Sequence, residues 1–286
     1  PEEFGYMELI NNITLLLGGI LSFGLVSVVY SEFFQLQTQN RKEMVIQISK
    51  VYAAIAIPVS ILFYISFLFF NPGFVKGNSG SLDMLLALIS MFLLFFQNLY
   101  FNILQLLKRA VKLTTLRISL GLSNAIITLL LVLVVGWGVT GIFTGNLIAL
   151  ILIFIISFYD FNKKVGVYRT KNIEFRKYIK LGFPFMIGVV ANWVVSNADR
   201  WIIYYYLKND EVGFYSLAFK YAAVFEPLII IPIMGVYTPY IFEKFARSNF
   251  RQDLGLIALG ILVSFPLLGF ITQYVLHFFI DIRYSR

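Results

Sequence analysis

VTGIFTGNLIALILIFIISFY, from Val139 to Tyr159, is a run of 21 residues without a charged side chain. As a helix rising about 1.5 Å per residue it is about 30 Å long, the thickness of a bilayer's hydrocarbon core. Transmembrane strands are about ten residues long and alternate in polarity, and this run does neither. Gly136-Trp137-Gly138 punctuates the chain just before it, and Lys163 and Lys164 follow just after it.

Working outward, comparable runs cover Tyr6–Tyr30, Val51–Phe70, Leu82–Leu107, Leu116–Val135, Leu181–Tyr206, Gly213–Tyr237 and Leu254–Ile280. The sequence therefore predicts an all-α, polytopic integral membrane protein with about eight transmembrane helices. Composition agrees. The chain is 59 % hydrophobic and 13 % charged, whereas soluble domains carry about a quarter charged residues. The 286 residues hold too little polar sequence to cover a soluble core. With no cysteine, neither a disulfide framework nor a thiolate metal site can form.

A net charge of +8 raises the question of nucleic acid. Its distribution answers otherwise. Counting loops along the chain, the odd ones hold 17 Lys and Arg: Arg41, Lys42 and Lys50; Lys108, Arg109, Lys112 and Arg117; seven from Lys163 to Lys180; and Lys244, Arg247 and Arg251. The even loops hold only Lys76 and Lys208. By the positive-inside rule the odd loops are cytoplasmic and both ends of the chain lie outside. Topology accounts for the charge, and no nucleic-acid partner is expected.

A faint internal repeat runs at an offset of 208 positions. It pairs Glu3 with Glu211, Gly5 with Gly213, Leu9 with Leu217, Val28 with Val236, Pro58 with Pro266 and Phe70 with Phe278. Such a repeat implies six-helix units running the same way across the membrane, as in transporters whose site lies between two lobes. On that scheme residues 1–160 are five helices of an N-terminal lobe. Residues 161–180 form a basic cytoplasmic linker, and 181–286 begin a C-terminal lobe with three helices. A further helix is expected before Pro1, so that these are the second to ninth helices of a longer protein.

Three stretches carry a resemblance: Leu181-Gly-Phe-Pro184, Ser196-Asn-Ala-Asp-Arg200, and Glu211-Val-Gly-Phe-Tyr-Ser-Leu-Ala-Phe-Lys-Tyr221. They are similar to the GLP…NSSDR…VGIYSLAYK pattern of Wzx-type O-antigen and exopolysaccharide flippases, in the MOP superfamily. Pro1-Glu-Glu-Phe-Gly-Tyr6 resembles the start of that family's second helix. The resemblance implies two six-helix lobes around a central cavity in a bacterial inner membrane. It also implies export of an undecaprenyl-pyrophosphate-linked oligosaccharide, with the polysaccharide polymerase and glycosyltransferases as partners besides membrane lipids.

Charges at bilayer depth are costly and usually face a cavity or a partner. Asp199 and Arg200 precede the outer end of their run by about the distance at which Lys220 follows the outer start of the next. Asn192, Ser196 and Asp199 or Arg200 share one helix face, with Asn197 beside them. They are candidates for a cavity that meets pyrophosphate and sugar, or for a salt-bridged clamp between helices. Glu226, next to Pro227, is a candidate for ion coupling or an interhelical hydrogen bond. Asn98, Asn102, Gln105, Arg109 and Lys112 recur at helical spacing. They read either as a basic cytoplasmic vestibule for pyrophosphate or as a helix end among headgroups.

His277 reads as a wet interfacial residue, and Tyr204-Tyr205-Tyr206 as part of an aromatic belt. Ile173, Phe175, Tyr178 and Ile179 among basic residues suggest a helix lying on the anionic leaflet. No GxSxG, Walker A, HExxH or Cys/His spacing occurs, so no catalytic residue, metal or cofactor is expected. The rival readings are a multidrug or cation-coupled exporter of the same superfamily, a membrane-embedded polysaccharide polymerase or ligase, and a non-transporting scaffold. Short even loops disfavour the enzyme.

Overall fold

Hydrocarbon offers backbone N–H and C=O groups no partner, so each apolar run closes its own hydrogen-bond ladder as a helix. The computed structural model describes residues 2–36, 38–70, 80–165, 174–207 and 209–223. Among them the helices are α1 (Glu2–Leu21), α2 (Leu25–Glu32), α3 (Thr38–Phe70), α4 (Gly80–Leu106), α5 (Ala110–Leu129), α6 (Gly138–Val165), α7 (Phe175–Leu207) and α8 (Asn209–Ala223). The described residues contain no strand. Six of the helices, α1 and α3 to α7, are long and apolar enough to cross a membrane. The expected eighth span, and the seventh beyond Ala223, lie outside the described residues.

The first expected span, Tyr6–Tyr30, is not one helix. Phe23 (φ 47°) and Gly24 (φ 62°) both adopt the left-handed conformation and separate α1 from α2. Glycine takes this φ without steric cost. Ser22 helps end α1 by donating its hydroxyl to the Gly19 carbonyl at 2.8 Å.

Other boundaries move outward. α3 starts at Thr38, well before Val51, and carries Arg41, Lys42 and Lys50 on the helix itself. α6 continues through Asp160 to Val165. The expected leaflet-lying helix does not form from residues 175–180: they are the first turns of α7, and Tyr178 is buried. The rest of that linker, 166–173, lies outside the described residues. α5 ends in a π-helical turn, Leu130–Val134, where Val135 N–H donates five residues back to the Leu130 carbonyl.

α4 is the hub, packing on α1, α2, α3, α5 and α6, while α1 also packs on α7 and α8. Leu9, Ile10, Leu25, Ile48, Tyr52 and Met84 fill the interior, and the Tyr52 ring stacks on Phe95 with centroids 3.6 Å apart. Leu62, Phe69 and Phe70 point outward from α3, the arrangement a hydrocarbon solvent favours.

Candidate functional site

Arg200 is the centre of the polar cluster on α7 and is only 4 % exposed. Its Nη1 donates to the Ser196 carbonyl at 2.9 Å, one helical turn back, and to Asn197 Oδ1 at 3.3 Å. Asp199 Oδ1 lies 3.4 Å away as the ionic partner. The guanidinium sits over the Phe219 ring of α8, 4.4 Å from its centroid, and 6.0 Å from that of Tyr215. Nε makes no hydrogen bond among the described residues.

Tyr215 explains how Asp199 is held. Its hydroxyl donates to Asp199 Oδ2, joining α8 to α7. The cross-helix partner expected for Asp199 was Lys220, which α8 carries at that position, although its side chain lies outside the described residues. Asn197 donates Nδ2 to the Trp193 carbonyl at 3.3 Å, and Trp193 Nε1 donates to the Asn12 carbonyl of α1 at 3.1 Å. Ser196 is half-buried, and Asn192 is exposed. An apolar cavity of about 520 Å³ between α1, α3 and α7 is lined by Trp193 and Trp201, but not by any of the expected polar residues.

The stripe expected on one helix is divided by a turn. α4 ends at Leu106, and Lys108 takes a left-handed φ of 56°. Asn102 and Gln105 face α2: the Tyr30 hydroxyl donates to Asn102 Oδ1 at 2.6 Å and lies 3.0 Å from Gln105 Oε1. Asn98 and Arg109 are exposed. Lys112, across the turn on α5, pairs with Asp160 Oδ1 of α6 at 2.5 Å, and the Tyr100 hydroxyl of α4 also donates to Asp160. Glu226 and His277 lie outside the described residues.

Sequence reasoning passed over two buried acids. Glu8 of α1 is 6 % exposed and Asp83 of α4 is 1 % exposed. Asp83 accepts from the Tyr6 hydroxyl at 3.0 Å and from Thr140, so it ties α4 to α1 and α6. Each lies within three residues of the start of an apolar run, where a charge passes for a wet helix end. Only the packing reveals their burial.

Long apolar helices packed around a hub, with an arginine and carboxylates buried between them, define a polytopic α-helical membrane protein. The family described as polysaccharide biosynthesis protein matches residues 1–245, and the chain belongs to that family. A relative from Haemophilus influenzae, described as an uncharacterized membrane protein, is 24 % identical over 204 residues, 66 % of this chain. The chain spans about half the length of that relative (50 %). No solved structure matches.

Proposed function

We propose that the chain is part of a flippase that moves an undecaprenyl-pyrophosphate-linked oligosaccharide from the inner to the outer leaflet of a bacterial plasma membrane. Two lobes, one including residues 1–160 and the other beginning near residue 181, alternate access to a polar site between them while the lipid tail stays in the bilayer. The basic loops are cytoplasmic and both ends of this chain outside. Arg200 and Lys220 meet the anionic or polar headgroup, with Asn192, Ser196 and Asn197 along the same path. Asp199 holds their geometry. Asn98, Asn102, Gln105, Arg109 and Lys112 receive pyrophosphate on the cytoplasmic side, and Glu226 couples an ion.

Arg200 carries this reading. A guanidinium buried at membrane depth is costly, and one whose Nε has no partner among the described residues retains capacity for an anion. Membership in a polysaccharide biosynthesis family supports a substrate drawn from polysaccharide synthesis. A cationic site argues against a cationic drug.

The Phe219 ring 4.4 Å from the guanidinium favours a second reading, a clamp joining α7 to α8. Flipping of a fluorescent polyprenyl-pyrophosphate oligosaccharide by the full-length protein in liposomes separates the two. Arg200→Ala and Lys220→Ala are expected to slow flipping at least about ten-fold, the loss of a charged hydrogen bond, with thermal stability retained by Lys220→Ala. Wild-type surface polysaccharide in both variants would overturn the site assignment. Loss of stability in step with transport would leave only the clamp.

A further inference from the structure

α4 packs on both α3 and α6, but α3 and α6 do not pack closely on each other. The slot between them is a cavity of about 660 Å³, a volume within the roughly 300–1,000 Å³ of small-molecule sites. Its walls are aromatic, with Phe92 and Phe96 from α4 and Phe154 and Phe158 from α6. Lys50 of α3 is the one charged side chain among the described residues that line it.

The sequence places this slot in depth from two sides. Lys50 immediately precedes the apolar run that starts at Val51, and across the slot the apolar run of α6 ends at Tyr159, just before Asp160. Both helices therefore carry the slot across the boundary between headgroups and hydrocarbon, with Lys50 beside that boundary and Val45, Ile46 and Phe161 on its headgroup side. Phe154 lies five residues inside that boundary, about 7.5 Å deeper along α6. A cation beside the boundary with rings deeper than it matches a lipid in charge and in shape. A Lys near an anionic leaflet attracts its phosphates, and aromatic walls suit a hydrocarbon chain.

We propose that this slot binds one acyl chain of an anionic phospholipid from the surrounding leaflet, with the phosphate at Lys50. The site is separate from the residues assigned to the transported headgroup, and the proposal stands whether or not the protein flips oligosaccharide. Native mass spectrometry of the full-length protein released from nanodiscs of equal phosphatidylglycerol and phosphatidylethanolamine tests it. Wild type is expected to retain one phosphatidylglycerol in preference. Lys50→Gln is expected to lower that preference roughly five-fold, the effect of one cation at a membrane surface. Ala53→Trp, which fills the slot, is expected to abolish retention. Phe158 is exposed, so Phe158→Ala keeps the fold and is expected to weaken retention about ten-fold. No retained lipid in wild type, equal retention of the two lipids, unchanged retention in Phe158→Ala, or a polyprenyl phosphate in place of the phospholipid would each overturn the proposal.

Discussion

Gly182 of α7 presses against the carbonyl oxygen of Phe23: a Cβ added to Gly182 would lie 2.1 Å from it. In return, a Cβ on Gly24 would lie 2.6 Å from the Gly182 carbonyl oxygen. The break between α1 and α2 is thus a docking point, where backbone meets backbone at the start of α7. Neither partner is a flexible side chain that could swing aside.

Gly182→Ala is therefore expected to destabilise the protein by about 1–3 kcal/mol, the usual cost of overpacking. A lower Tm of the purified full-length protein is the measurement. Gly121→Ala on α5 is the control, because nothing lies within 4 Å of its added Cβ. Equal Tm for both variants would show that α1–α2 and α7 are not in this contact.

Arg200 and Phe219 are expected to be coupled. A double-mutant cycle with Arg200→Ala and Phe219→Ala isolates their interaction. A desolvated cation–π pair is worth up to about 2 kcal/mol. Strict additivity of the two losses in thermal stability would contradict the stacked geometry.

Tyr6→Phe removes the donor that Asp83 receives from α1. A buried carboxyl deprived of a partner costs about 1–3 kcal/mol, so thermal stability is expected to fall. Tyr6→Phe combined with Asp83→Leu is expected to cost less than Tyr6→Phe alone, because no buried carboxyl is then left short of a donor. The four Tm values of this cycle decide it.

These 286 residues hold no cysteine, so one cysteine introduced among them, with any elsewhere in the full-length protein replaced, reports topology without background. Lys164→Cys in the full-length protein in cells is expected to react with an impermeant maleimide only after permeabilisation. Lys76→Cys is expected to react from outside without it. The opposite labelling would reverse the orientation read from the Lys and Arg distribution.

Much of the architecture was legible because hydrocarbon imposes one rule, that a crossing segment be apolar and internally hydrogen-bonded. Runs such as Leu82–Leu107 reappear as α4 (Gly80–Leu106) with little change. The break at Phe23–Gly24 was not legible. A glycine inside an apolar run is common in membrane helices, and only the approach of Gly182 gives it a purpose. The polar stripe shows the same limit: Asn102 and Gln105 keep helical register with Lys112, but the turn after Leu106 sends Lys112 to Asp160 instead.

Sequence by itself determined that this is a helical membrane protein, which segments are apolar enough to cross, and that Arg200 and Asp199 fall within one of them. These follow from local composition and a fixed rise per residue. Tertiary structure alone decided that Arg200 stacks on Phe219, that Asp199 is held by Tyr215, and that Glu8 and Asp83 are buried. Those outcomes depend on which helix packs beside which, and helical periodicity reveals which residues share a face but not what that face meets.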